Sequence, residues 1–351
     1  MIPPRKRVGF SLMELMVTMT ILMILMTVIL AVTNQTGQLW RGTTSKIASF
    51  QDARAAFDAL TRNLTQATLN HYYDYYDKDW KTRPADTTST AYASFVPANY
   101  GRASDLQFLC GPVDTLFGTS AGTKQGHAVF FQAPLGRVDD KAAYAESPGL
   151  INALGYYVEF SDNTATSSRP KFLRTAATMK QKRFRLMEWI QPSEKFRLYY
   201  NNALPGADPK DWFTTLTTNT DQCRVMADNV LALIILPLSS TGDTTHPRDT
   251  TLAPAYSYDS RPAVYDSVRS HLLPPMIQVT MVAIDRESAA RLNQQFKDTM
   301  PPYYAPRWFT KADSYNDDLK ALEKALQGGT PGLPKVNYRI FSTTINTRDY
   351  K

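Results

Sequence analysis

The chain has 351 residues, with 39 Lys plus Arg against 32 Asp plus Glu, a net charge of +7, and 43% hydrophobic residues. That is enough apolar material for one large folded domain or two small ones, and it excludes a disordered or collagen-like chain. Only 20% of the residues are charged and there is no long Lys/Arg tract to neutralise a run of phosphates, so no nucleic-acid partner is expected.

The first element is apolar. From Leu15 to Val32 the only polar residues are Thr18, Thr20 and Thr27. A helix of about 20 such residues spans the hydrocarbon core of a bilayer, and a core helix of a soluble protein is rarely apolar on every side for so long. Arg5, Lys6 and Arg7 precede it, which under the positive-inside rule keeps the N-terminus cytoplasmic and sends the rest across. An ordinary secretory signal is the first rival, but Val32-Thr33-Asn34-Gln35-Thr36-Gly37 holds no convincing small-residue cleavage site on the far side. Glu14 stands at the start of the apolar run, where a carboxylate is costly unless neutralised or held at headgroup level by the helix dipole and water. Met13, Met16, Met19, Met23 and Met26 recur along one side, as a packing face for other helices or as plain lipid contact.

Gly37 and Gly42 follow in a polar stretch where they would loosen or kink a helix. Then Ile47, Phe50, Ala53, Phe57, Leu60 and Leu64 repeat every three or four residues, with Gln51, Asp52, Arg54, Asp58, Arg62 and Asn63 between them. This predicts that the helix continues and lays an apolar stripe on a folded head. The aromatic and acidic run at 72–80 reads as a loop whose rings pack on the head's own edge, with a contact surface as the alternative. Strands are expected at Asp105 to Cys110, His127 to Gln132, Leu154 to Phe160, Arg183 to Trp189, Lys195 to Tyr200, Val230 to Pro237, Met276 to Ile284 and Val336 to Thr347. Helices are expected at Arg286 to Lys297 and Ser314 to Gln327, and an exposed insertion between Thr241 and Ser270.

The run Arg5-Lys6-Arg7-Val8-Gly9-Phe10-Ser11-Leu12-Met13-Glu14-Leu15 closely resembles the recognition site of type IV prepilins and pseudopilins. The resemblance implies a leader over residues 1–9 and cleavage between Gly9 and Phe10 by a prepilin peptidase. It further implies N-methylation of Phe10, and a Glu14 that meets the Phe10 amine of a neighbouring subunit and sets filament register. Residues 10–36 are then a transmembrane helix, 37–70 an amphipathic helix continuing into the head, and 71–351 a β-rich head. The fold implied is α+β and pilin-like: a long N-terminal helix packed on an antiparallel sheet. Met276 to Leu292, preceded by Leu273-Pro274-Pro275, and Tyr338 to Ile345 resemble the late sheet of J-type minor pseudopilins of type II secretion. A closer likeness runs from Leu39-Trp40-Arg41 and Lys46-Ile47 through Ala53 to Arg62, Ala67 to Asn70 and Tyr75-Tyr76-Asp77. This stretch resembles the prepilin-like family called Verru_Chthon cassette protein C.

Little in the rest suggests chemistry. Cys110 and Cys223 are either bridged, if the head lies in an oxidising compartment, or two buried thiols. His71, His127, His246 and His271 are scattered, without metal-ligand spacing. Asp74, Asp77 and Asp79 have the odd spacing of a Ca²⁺ loop but lack its Gly and closing Glu, so no metal and no cofactor is assigned. With no nucleophile elbow and no phosphate loop, enzymatic activity is not expected. The expected role is a minor pilin or pseudopilin in the bacterial inner membrane, its head periplasmic or carried to the cell surface in a filament. Its partners would be prepilin peptidase, other prepilin-like subunits and an inner-membrane assembly platform. An anchored adhesin or receptor that never polymerises is the alternative, and a tethered extracellular enzyme the remoter one.

Overall fold

In the computed structural model the described residues are 11–84, 87–140, 147, 149–162, 181–196, 198, 211–214, 222–239, 252–262, 265–267, 269–297 and 299–347. The chain divides into two compact units, Met1–Ser49 and Phe50–Lys351. The architecture is α+β, a long N-terminal helix and antiparallel sheets, as expected of a pilin-like chain.

Helix α1 runs from Leu12 to Leu64, its helical backbone continuing through Gly37 and Gly42 as the one long helix the sequence predicts. The segment Leu12–Gly37 is long and apolar enough to cross a membrane, and none of it is buried within the chain. Its few hydroxyls are satisfied locally. Thr18, Thr20 and Thr27 donate to the carbonyls of Leu15, Val17 and Ile24 at 2.8–2.9 Å. That leaves none of these hydroxyls seeking water in a medium that has none.

Within the second unit the amphipathic stripe is as the spacing predicts. Ala53, Ala56, Phe57, Leu60 and Leu64 are buried, while Gln51, Asp52, Arg54, Asp58 and Arg62 face outward. The last turn is tied to the sheet by a polar chain. Asn63 donates to the Tyr156 hydroxyl at 2.8 Å, Tyr156 donates to Glu188 at 2.6 Å, and Arg224 pairs with the same fully buried carboxylate. A buried carboxylate is tolerated because it is both paired and hydrogen-bonded.

The core is built from two antiparallel sheets. The larger has strands β3 (Leu109–Pro112), β4 (Lys124–Pro134), β5 (Ile151–Ser161), β6 (Arg183–Gln191), β7 (Cys223–Asp228) and β9 (Tyr258–Asp259) in the order β7-β6-β5-β4-β3-β9. The smaller orders β11 (Tyr338–Asn346), β10 (Met276–Ile284) and β8 (Val230–Leu238). β4, β5 and β8 are buried almost residue by residue and do not alternate, because both of their faces are covered.

The sheets meet where β4 crosses β8. β8 pairs with β10 on one side only, so its other edge carries backbone groups in need of partners. β4 shifts register between Gln125 and Val129 and turns two polar side chains onto that edge. Gln125 donates to the Leu231 carbonyl, and the Ile235 amide donates to His127 Nδ1 at 3.1 Å. His127 Nε2 lies 3.1 Å from the Phe309 carbonyl, and its Nδ1 faces the Ile235 carbonyl at 3.2 Å as well as the Ile235 amide. Gly126 lies between them with φ +76°, and a Cβ there would stand 2.8 Å from the Leu233 carbonyl oxygen. Only glycine permits that approach.

The structure differs from the sequence expectations at several elements. The run at 72–80 is not a loop: Tyr72–Tyr76 is β1, paired antiparallel with β2 (Asn99–Ala103), a strand that no pattern had marked. Lys195 to Tyr200 is not a strand among its described residues, because Pro192 ends β6 and opens a short 3-10 turn at Ser193–Lys195. Of the two alternatives left open for Cys110 and Cys223, the structure has the buried free thiols. They lie on β3 and β7, four strands apart at roughly 4.8 Å per strand, well beyond the ~7 Å Cα separation a disulfide spans.

Burial pushes His127 down to about 4 from an ordinary 6.5, so its neutral form belongs to the folded state. Stability from this group is therefore complete above pH 6.5 and lost as pH falls toward 4, on the order of 3 kcal/mol in all. Thermal melting of the full chain in detergent should show this as a falling Tm between pH 6.5 and 5. His127→Gln, which keeps a donor and an acceptor but does not titrate, should lessen that slope, leaving the part due to His271, which burial also pushes down to about 4; an unchanged slope would contradict the assignment.

Candidate functional site

Gly9, Phe10 and His246 lie outside the described residues. The described part of the N-terminal motif begins at Ser11. The Ser11 amide donates to Glu14 Oε2 at 3.4 Å, and the Glu14 amide donates to Ser11 Oγ at 3.5 Å. This reciprocal pair is a capping box, and the Ser-x-x-Glu spacing that signals it stands in the sequence. The sequence reading singled out Glu14 and passed over Ser11. Both side chains are exposed, and the carboxylate sits over the positive end of the helix dipole.

Both contacts are long, and only one carboxylate oxygen is used. Oε1 makes no hydrogen bond among the described residues, so Glu14 is oriented by its own helix yet keeps one oxygen for a cation from elsewhere. The adjoining methionines, Met13, Met16, Met19, Met23 and Met26, are all exposed, on a helix face with nothing of the chain's own to pack against. An oriented carboxylate at the head of a bare apolar helix suits association with another helix inside a membrane.

The other residues weighed from the sequence are not brought together. His71 is exposed, His127 is used up at the sheet junction, and His271 lies 3.3 Å from the Tyr76 hydroxyl. Asp77 Oδ1 accepts from the amides of Asp79 and Lys81, which makes it a turn-former. Among the described residues no three His, Cys, Asp or Glu side chains are grouped to hold a metal ion. Burial raises both cysteine thiols, with the Cys223 sulfur 3.6 Å from the Tyr157 hydroxyl. Thiol reagents should therefore label neither cysteine in the folded chain and both after denaturation without reductant. Labelling of neither in denaturant would mean a disulfide after all.

Residues 5–30 match the prokaryotic N-terminal methylation motif. No curated protein matches the chain. No solved structure matches it either. The motif supports a pilin-like or pseudopilin-like protein, implies processing by a prepilin peptidase, and with the one apolar N-terminal helix fits a single-pass membrane anchor.

Proposed function

We propose that this chain is a minor pilin-like or pseudopilin-like subunit whose work is assembly, without a reaction of its own. Prepilin peptidase cuts between Gly9 and Phe10 on the cytoplasmic side, where Arg5, Lys6 and Arg7 hold the leader, and Phe10 is methylated. The head is on the periplasmic side. The mature helix leaves the lipid for a bundle formed with other prepilin-like subunits at an inner-membrane assembly platform, in a filament or its initiating complex. The observation that carries this reading is the matched motif at the start of an apolar, exposed helix long enough to cross a membrane.

Glu14 has two separable roles in this scheme. Through Oε2 it caps its own helix, and through Oε1 it accepts the Phe10 ammonium of a neighbour. In lipid an uncompensated charge is expensive, so the pair forms only when subunits are in register. The size of the head, Phe50–Lys351, favours a minor over a densely repeated subunit, because large heads crowd a filament surface. Resemblance to the Verru_Chthon cassette family and to J-type pseudopilins points the same way. A second reading, an anchored receptor that does not polymerise, draws on the exposed tyrosines of β1 and β2.

Glu14→Gln separates the roles, since the amide still caps but carries no charge. Membrane insertion and leader removal should be unchanged, and recovery in co-purified assemblies should fall by about tenfold, the equivalent of one pair worth about 1.4 kcal/mol. Glu14→Ala should do the same. Wild-type recovery of the Gln variant would reduce Glu14 to a helix cap, and normal recovery of both variants would count against assembly through this residue.

A further inference from the structure

The hairpin of β1 and β2 forms a sheet of its own. Its register places Tyr73 opposite Arg102 and Tyr75 opposite Tyr100, so these four residues share one face. Tyr73, Tyr75 and Tyr100 are 62%, 54% and 62% exposed. They form one continuous row, with Tyr100 5.5 Å from Tyr73 and 5.1 Å from Tyr75 between ring centroids. Large exposed aromatic groups in a contiguous row are a costly surface, and such patches mark binding sites.

The opposite face holds the row in place. Tyr76 is buried and donates to the Arg102 carbonyl at 2.6 Å, and Trp80 stacks on Tyr265 at 4.1 Å and 8°. Gly101 has no side chain because Trp80 and Tyr265 would each stand 3.0 Å from its Cβ. A platform so braced loses little entropy when it binds.

Past Tyr76 the pairing ends, with the Ala98 amide donating to the Tyr76 carbonyl and the Asp77 amide to the Lys81 carbonyl, and Asp77 and Ala98 both line a cleft of about 530 Å³. Phe95 and Val96 wall it, and Lys78 and Lys81 line it too. Neither lysine has a carboxylate within ion-pair distance among the described residues, and the cleft's one carboxylate, Asp77, is engaged by the amides of Asp79 and Lys81. Among the described residues the cleft therefore carries two ammonium groups against one committed carboxylate.

We propose that the tyrosine face of β1 and β2 and the adjoining lysine cleft bind an extended acidic polysaccharide, its pyranose faces on the rings and a carboxylate at Lys78 and Lys81. The row has flat rings tipped with hydroxyls and no aliphatic side chain, which suits the C–H faces and hydroxyl rims of sugars better than the greasy centre of a protein interface. From Tyr73 to Asp77 the face runs roughly 13 Å at 3.3 Å per residue, the length of a few sugar rings. The proposal stands whether or not the chain polymerises.

The test is calorimetric titration of the full chain in detergent with polygalacturonate, and with the same polymer fully methyl-esterified. Wild type should bind polygalacturonate and bind the neutral ester about fivefold more weakly, as expected for exposed charges. Tyr73→Ala with Tyr100→Ala should weaken both by about tenfold, at unchanged Tm because these rings are exposed. Should that variant misfold, polygalacturonate must still shield Lys78 and Lys81 of the wild type from acylation. No binding of polygalacturonate, or binding indifferent to the tyrosines, overturns the proposal. Capture of a Pro-rich peptide by the same rings in place of the polymer overturns it in favour of a protein partner.

Discussion

An apolar helix that its described surroundings leave uncovered is the constraint from which the rest follows. Among the described residues Leu12–Gly37 is exposed along its length, so in water it would present a long run of Leu, Ile, Met and Val. At roughly 25 cal/mol per Å² such a surface forces the segment into lipid or against other helices. The local hydrogen bonds of Thr18, Thr20 and Thr27 belong to the same solution, since they remove the remaining polar demand of the span. Glu14 is the exception, and it is the residue that its surroundings leave half-satisfied.

The second unit is built to stand without help from the first. The stripe from Ala53 to Leu64 closes its core, and the chain Asn63–Tyr156–Glu188–Arg224 locks the last turn of α1 to the large sheet. The bulge in β4 lets Gln125 and His127 finish an edge that backbone pairing leaves open, so two sheets become one core. Those two side chains are buried and polar for a structural reason. Histidine at 127 therefore carries an acid sensitivity.

What could be read from sequence was whatever a local pattern dictates. The span, the amphipathic stripe, the long strands β4, β5, β6, β8, β10 and β11 and the helix Arg286–Phe296 follow from periodicity and composition. The helix at Tyr315–Lys324 was expected to reach Gln327, and the chain leaves the α-helix a turn earlier. β1 and β2 were missed because four tyrosines and an aspartate in a row show no alternation of apolar and polar; their two faces differ in exposure. The cysteines could not be placed because strand order, which sets them four strands apart, is a property of the whole sheet. At the N-terminus the motif was legible in full, yet the pairing of Ser11 with Glu14 was overlooked while the carboxylate was considered alone.

The account rests on residues 1–9 being a leader and the remainder a subunit made for assembly. Mass spectrometry of the N-terminus of the membrane-bound chain, from cells with and without prepilin peptidase, tests this most directly. The account predicts a chain that starts at Phe10 and is heavier by one methyl group when the peptidase is present, and a chain that still holds its leader when it is absent. A mature chain that retains Met1 in peptidase-bearing cells, or one cut beyond Val32, would contradict it.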